Sequence, residues 1–249
     1  MDKIEKLTEI LQKLNSGEIS DSLKKEALEM VAKIDPVELS LAEQSLIEKG
    51  TKPEDLRNLC EIHMEVLKDE LDNLKVKINS DHVLSTLIAE HDEILKLLTK
   101  LDELNHKIQK IENYTKDLPQ FDELLKLSED ILGAEKHHKR EEDVLFPELE
   151  KRNVTGPTRI MRMEHDILRA KKKEIKKLAL EVGNMDFNAF KSSLAETSKY
   201  LIFNMRDHIY KENHILYPSS LDTLTDVKLW NDMKIACDKI GYCSFTPRK

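Results

Sequence analysis

Two stretches of the chain repeat one another and carry the same potential metal ligands. The residues His137-His-Lys-Arg-Glu-Glu-Asp-Val-Leu-Phe-Pro147 return 71 positions later as His208-Ile-Tyr-Lys-Glu-Asn-His-Ile-Leu-Tyr-Pro218. The gap-free alignment pairs His137 with His208, and Glu141 with Glu212. Residues four apart lie on the same face of a helix, so each His-x-x-x-Glu pair can hold one metal ion or share one with a neighbour.

A lone histidine precedes each copy within a second repeated motif. Glu90-His91-Asp92 precedes the first copy, and Glu164-His165-Asp166 precedes the second. Imidazole and carboxylate ligands without thiolates suit iron, manganese or zinc. A set of four histidines and two glutamates inside a helical bundle is typical of a two-metal site. The predicted ligands are His91, His137, Glu141, His165, His208 and Glu212.

A second His-x-x-x-Glu pair overlaps the first copy. His138 and Glu142 also have this spacing, on a face of the helix rotated by about 100°. The repeat aligns His138 with Ile209 and Glu142 with Asn213, neither of which preserves a ligand. The alignment therefore favours His137 and Glu141 as the ligand pair.

The composition excludes several classes of protein. Of the 249 residues, 35% are charged and 5% aromatic, which is typical of a soluble helical protein. The net charge is −8 and the basic residues are dispersed, so no basic stripe is available for nucleic acid. No apolar stretch approaches the roughly 20 residues that span a bilayer. The three cysteines, Cys60, Cys237 and Cys243, form no paired framework, and we expect a reducing cytoplasm.

Helical periodicity runs along the whole chain, and no segment alternates for long enough to predict a strand. We therefore expect an all-α fold, with short helices over residues 1–75. Ser80-Asp81 is the predicted cap of the first long helix. Four long helices are expected at about 82–114, 120–150, 157–183 and 187–222, followed by an amphipathic stretch at about 224–240.

An up-down bundle of these four helices brings the candidate ligands to one level. His91 lies nine residues, or roughly 14 Å, into its predicted helix, and Glu141 lies nine residues before the end of the next. His165 and Glu212 fall at matching depths in the other two helices. Buried carboxylates without a cation are costly, so we expect the ions to be needed for full stability.

These motifs resemble the hemerythrin-like, cation-binding four-helix bundle over residues of about 80–222. The resemblance implies a non-haem di-iron pair held by the six candidate ligands. Residues 1–75, with Leu59-Cys60-Glu-Ile-His63, and the ending Ile240-Gly-Tyr-Cys-Ser-Phe-Thr-Pro247 resemble an uncharacterised domain that is often fused to such bundles. The expected organisation is an N-terminal helical domain at 1–75, the bundle at 80–222 and a C-terminal helix and tail at 223–249.

The chain departs from oxygen-carrying hemerythrins at two positions. These carriers have a second histidine one turn after the third-helix ligand, where this chain has Arg169. They also place an aspartate five residues after the fourth-helix histidine, whereas here Glu212 follows His208 by four. The chain also lacks the adjacent N-terminal cysteine pair of related bundles that repair iron–sulfur centres. Reversible oxygen transport and iron–sulfur repair are therefore less favoured.

Three functions remain open. The favoured one is a di-iron protein that binds O₂, nitric oxide or a related small ligand in sensing or in a stress response. The alternatives are a di-iron oxidoreductase or iron–sulfur repair factor, and an iron storage or homeostasis protein. No nucleotide motif or electron-transfer site is evident in the sequence, which favours binding over dedicated catalysis.

In the predicted bundle, the chain enters and leaves at the end that holds the candidate ligands. We therefore expect residues 1–75 and 224–249 to pack together over this end and to gate access to the metals. Cys60, His63 and Cys243 would lie closest to the entrance. A Cys-x-x-His pair alone is a weak signal for metal binding, and Cys60 and His63 are more simply read as packing residues.

Overall fold

The computed structural model describes residues 68–247, which form helices joined by short connections, without a strand in that range. The prediction of an all-α fold is confirmed. The first described helix, α1, spans Lys68–Lys77. The helices predicted before it, with Cys60 and His63, lie outside the described residues. The predicted domain boundaries stay predictions.

The first long helix, α2, spans Val83–Gln109 and begins at a histidine. The Nδ1 atom of His82 accepts a hydrogen bond of 3.2 Å from the backbone N–H of Leu84. The prediction of a cap at Ser80-Asp81 was therefore wrong, because a ring nitrogen takes the role of the usual side-chain oxygen. The helix also ends at Gln109, earlier than the predicted end near residue 114. Ile111 and Tyr114 pack on the core from the connection that follows.

The second long helix is not continuous, contrary to the prediction for 120–150. It consists of α3 (Pro119–Leu132), α4 (Glu135–Arg140), a π-helical turn (Glu141–Leu145) and α5 (Phe146–Glu150). Pro147 has no N–H for a bond to the carbonyl four residues back, and its ring clashes with that carbonyl. In the π turn the N–H of Phe146 instead bonds the carbonyl of Glu141, five residues back.

The same interruption recurs in the second half of the molecule. Helix α6 spans Gly156–Glu181, and a 3₁₀ turn covers Val182–Asn184. Helix α7 spans Phe187–Lys211, a second π turn covers Glu212–Leu216, and α8 spans Tyr217–Thr223. Each π turn begins at the glutamate of a His-x-x-x-Glu pair and ends two residues before the repeated proline. π turns inside α-helices are frequent at functional sites.

Apolar side chains from α2, α3, α6 and α7 form one continuous core. Each fully buried leucine or phenylalanine there stabilises the fold by about 1.5–3 kcal/mol. At the end of the bundle away from the histidines, the rings of Phe121, Phe187 and Phe190 pack with centroids 5.8 to 6.2 Å apart. Core residues with no more than 1% exposure include Leu98, Leu101, Leu104, Ile108, Leu124, Leu168, Ile175, Phe190, Leu194 and Leu201.

The predicted C-terminal amphipathic helix is α9, Val227–Ile240, and it packs near the start of α2. Its Trp230 ring lies 4.3 Å from the His82 ring. Gly241 then adopts a φ of +84°, a conformation that glycine reaches more readily than other residues. In the tail that follows, Ser244 approaches the break at Gly133 between α3 and α4.

The chain divides into two compact units. Residues Ile78–Tyr210 and Ser219–Lys249 form one, and Lys211–Pro218 group with the N-terminal unit, of which α1 is described. Within that N-terminal unit, α1 packs beside the second π turn. None of the helices within residues 68–247 combines the length and the apolar character needed to cross a membrane.

Candidate metal centre

The first pair of predicted ligands comes from α2 and α4. The Nε2 atoms of His91 and His137 are 3.0 Å apart, and neither side chain is more than 1% exposed. The two rings tilt by 48° with their centroids at 4.6 Å, so the nitrogens, and not the ring faces, meet.

The second pair repeats this arrangement between α6 and α7. The Nε2 atoms of His165 and His208 are 2.9 Å apart, and both side chains are buried. Two nitrogens that bind one metal at right angles, each about 2.1 Å away, are about 3.0 Å apart. The spacing within each histidine pair therefore fits two neighbouring ligands on one ion.

Glu141 lies between the two histidine pairs. Its Oε2 atom is 3.5 Å from Nε2 of His137 and 3.6 Å from Nε2 of His165. The side chain is fully buried. A carboxylate in this position can reach ions on both sides, as a bridging ligand must.

Three carboxylates outside the predicted ligand set hold the histidine rings. The Nδ1–H of His137 donates to Glu90 at 2.8 Å, and the Nδ1–H of His208 donates to Glu164 at 2.7 Å. Because an ionised carboxylate only accepts, the hydrogen of each neutral ring must be on Nδ1. The Nε2 lone pair is then available to a metal, which is the tautomer that outer carboxylates impose at metal sites.

Glu142 plays the same part for His165. Its Oε1 accepts from the Nδ1–H of His165 at 2.8 Å, and its Oε2 accepts from Arg169 at 2.7 Å. Burial alone would raise the pKa of Glu142, but these two hydrogen bonds outweigh it and lower the pKa to about 2. Arg169 stands where carriers have a second histidine, and here it fixes an outer carboxylate.

Glu90 is the most enclosed of the three outer carboxylates. Besides His137, it receives hydrogen bonds from the buried guanidinium of Arg140 and from the hydroxyl of Thr246 in the C-terminal tail. Burial would raise the pKa of Glu90, but the hydrogen bond from His137 and the neighbouring positive charges lower it to about 2. The tail thus takes part in positioning His137.

His138, the alternative to His137, is buried beside the second histidine pair. One ring nitrogen each of His138, His165 and His208 lies within 4.8 Å of the others. However, the His138 ring is stacked on His165, with centroids 4.0 Å apart and planes within 11°. The lone pairs of stacked rings lie in separate, nearly parallel planes, which disfavours binding of both rings to one ion. This geometry favours His137 as the ligand, in agreement with the repeat alignment.

The remaining predicted ligand is Glu212, which is buried and follows His208 by four residues. It belongs to the segment Lys211–Pro218, which groups with the N-terminal unit. Its place in the ligand set stays a prediction.

Cys243 lies in the tail against the first histidine pair. Its thiol is buried, within hydrogen-bonding reach of the His137 backbone and the Arg140 side chain. Burial raises the pKa of Cys243 to about 11. The tail part of the predicted cap therefore lies beside the site, while residues 1–67 of its N-terminal part lie outside the described residues.

The sequence predicted that the candidate ligands lie close together, but it assigned no role to the residues that hold them in place. Glu90 and Glu164 stood in the repeated Glu-His-Asp motif, so the repeat itself carried a usable signal. Glu142 was considered only as an alternative ligand. Thr246 and Arg140 gave no sequence signal, because their partners lie far away along the chain or on another helix.

Comparisons with known families agree with this geometry. The family model of the hemerythrin HHE cation-binding domain matches residues 82–219, which is more than half of the chain. The model of a family of unknown function, DUF438, matches residues 7–73. A search of the curated proteins gave no match.

Proposed function

Since the chain belongs to the hemerythrin HHE cation-binding family, we propose that it is a non-haem di-iron protein that binds O₂, nitric oxide or a related small ligand. The family match covers the histidines and glutamates that converge in the bundle. The proposed ligands are His91, His137, Glu141, His165, His208 and Glu212.

The observation that carries the proposal is the placement of Glu141 between two histidine pairs. In each pair the Nε2 atoms lie at the spacing of neighbouring ligands on one ion, 3.0 and 2.9 Å. One carboxylate oxygen is within 3.6 Å of a histidine from either pair. Two ions with a shared carboxylate account for this arrangement better than one ion does.

The assignment of Glu212 rests on the repeat. It aligns with Glu141, it follows His208 with the same spacing, and each of the two glutamates opens a π turn. A second bridging carboxylate would give each ion two histidines and two carboxylate oxygens. About two positions then remain open on each octahedral ion.

The donor set supports iron, with manganese or zinc as other occupants. Bound by these side chains, an iron pair would supply a redox-active centre with open positions for a small ligand. Outer carboxylates keep His137, His165 and His208 in the Nδ1–H tautomer, and burial excludes bulk water from the site. Arg169 contributes no ligand, because it holds Glu142.

The burial of both histidine pairs supports a small ligand. None of the side chains of His91, His137, His165 and His208 is more than 1% exposed, which favours a small ligand over a large substrate. Among the described residues, Cys237 and Cys243 are free thiols, which supports a cytoplasmic location. Binding of O₂ or nitric oxide would give the protein a role in sensing or in a stress response.

Rapid mixing of the reduced, iron-loaded protein with O₂, nitric oxide and peroxide tests this function. We expect one stable adduct per site with O₂ or nitric oxide, recorded as a new absorption band that does not decay by turnover. Repeated consumption of a ligand would identify an oxidoreductase instead. Loading of many iron ions per chain would identify a storage protein.

A further inference from the structure

A buried lysine lies beside the second histidine pair and has no role in the proposed metal site. The side chain of Lys172, on α6, is 1% exposed and sits between the buried Leu168 and Ile175 of the same helix face. Burial lowers the pKa of Lys172 to about 8, so the amine still carries its charge at neutral pH. An enclosed ammonium is costly unless another group compensates it.

No described carboxylate forms an ion pair with Lys172. The charges of Glu135 and Glu142 act on it from a distance, but the guanidinium of Arg169 holds both carboxylates at 2.7 Å. The hydrogen-bond partner of Lys172 is Nδ1 of His138, 3.5 Å from its Nζ. The charge is therefore directed at a neutral imidazole.

His138 connects this charge to the second histidine pair. An ammonium can only donate, so Nδ1 of His138 accepts and the hydrogen of the neutral ring is on Nε2. The ring lies against His165, with one nitrogen within 4.8 Å of a nitrogen of both His165 and His208.

The other half of the molecule shows that the bundle does not need these polar residues for packing. In the repeat, His138 aligns with Ile209, and Lys172 aligns with Leu98 when the two Glu-His-Asp motifs are superposed. Both counterparts are buried apolar residues. The two aligned positions thus carry aliphatic side chains in place of the imidazole and the ammonium.

We propose that His138 and Lys172 form an anion-selecting element for the second histidine pair. His138 donates a hydrogen bond to a small inorganic anion, or to a ligand that gains negative charge on binding, and Lys172 orients and polarises His138. The inference rests on the proposed function, since the anion would occupy an open position of the metal centre. It predicts that the two halves of the site bind ligands unequally.

Lys172→Leu tests the element by copying the residue of the other half. Metal content is measured first, and then the dissociation constants of azide, an anion, and of nitric oxide, a neutral ligand. We expect azide affinity to fall by at least about tenfold more than nitric oxide affinity, because a nearby charge in a buried site acts mainly on an anion. Lys171→Leu is the matched control, since it removes a neighbouring, partly exposed lysine that pairs with Glu174.

A second variant and a stability measurement complete the test. His138→Ile, also copied from the other half, removes the donor and is expected to give the same selective loss of azide binding. The metal-free Lys172→Leu protein should melt no lower than the wild type, because a buried charge is lost. Equal losses for both ligands, or unchanged azide binding in both variants, would overturn the inference. A wild-type protein that holds no metal pair would instead contradict the proposed function.

Discussion

The outer carboxylates decide how the histidines can act. Glu90, next to His91 on α2, accepts a hydrogen bond from the ring of His137 on α4. In the same way, Glu164, next to His165 on α6, accepts a hydrogen bond from the ring of His208 on α7. Each Glu-His motif thus supplies one inner ligand and fixes the ligand of the neighbouring helix. The repeated Glu-His dipeptide therefore supplies both candidate ligands and the carboxylates that hold the ligands of neighbouring helices.

His137 and His138 give a direct test of the ligand assignment. His137→Ala should remove at least one ion and lower the melting temperature, because metal binding is linked to folding. His138→Ala should retain both ions, since its ring is stacked on His165 and is not aimed at the same point. Elemental analysis and thermal melting of the two variants would show a reversed pattern if the neighbouring residue were the ligand.

Glu142→Gln tests whether an outer carboxylate supports metal binding. The amide cannot provide the charged acceptor that both His165 and Arg169 contact, so His165 should lose its fixed tautomer. We expect metal affinity to fall by about 10- to 100-fold, measured by competition with a chelator. Glu129→Gln is the control, because it changes an exposed carboxylate that pairs with Lys176. Equal affinities in the two variants would show that Glu142 does not support the site.

At the level of elements, periodicity predicted the long helices but not their interruptions. The apolar pattern gave the bundle and the depth of the ligands, because burial sets both. The π turns could not be predicted from that pattern, since a shift of one residue changes the pattern little. Pro147 was present in the repeat as a possible signal, yet its effect on the backbone depends on the packing of Leu145 and Phe146, which are fully buried.

Pro147→Ala should separate the stability of the helix from the geometry of the site. The new N–H can bond the carbonyl of Asp143 and favour a regular α-helix, which would rotate Glu141 relative to the histidines. We expect the metal-free protein to melt a few degrees higher and metal affinity to fall on the order of tenfold. Pro157→Ala is the control, because Pro157 occupies a favourable position at the start of α6.

An unchanged metal affinity in Pro147→Ala, with a more stable metal-free protein, would contradict a role of the π turn in placing Glu141. Loss of both properties would mean that the proline mainly supports folding.

The C-terminal tail is an element that the family match does not cover. Thr246→Val removes the hydroxyl that contacts Glu90 while keeping the side-chain shape, and Thr246→Ser keeps the hydroxyl. We expect the valine variant to bind metal roughly threefold to tenfold more weakly, since Thr246 acts on His137 only through Glu90. Metal titration of both variants is the measurement. Equal affinities would show that the tail only covers the bundle.

At the level of the whole molecule, the repeated motifs predicted that the candidate ligands converge. They gave no sign that the two histidine pairs have different surroundings. The convergence of four histidines and Glu141 could be predicted because both copies retain their spacing. The inequivalence of the halves could not be predicted, because it arises where the copies differ. Lys172 lies in a lysine-rich stretch of the sequence, and only the packing of α6 shows that this lysine is buried.

The number of metal ions per chain tests the central claim most directly. Full-length protein from iron-supplemented cells, or reconstituted with iron under anaerobic conditions, should carry close to two iron ions per chain by elemental analysis. The oxidised protein should also show a near-ultraviolet band of a bridged ferric pair. This result is expected because two buried histidine pairs flank one carboxylate. One ion or fewer per chain after full reconstitution would contradict the paired site.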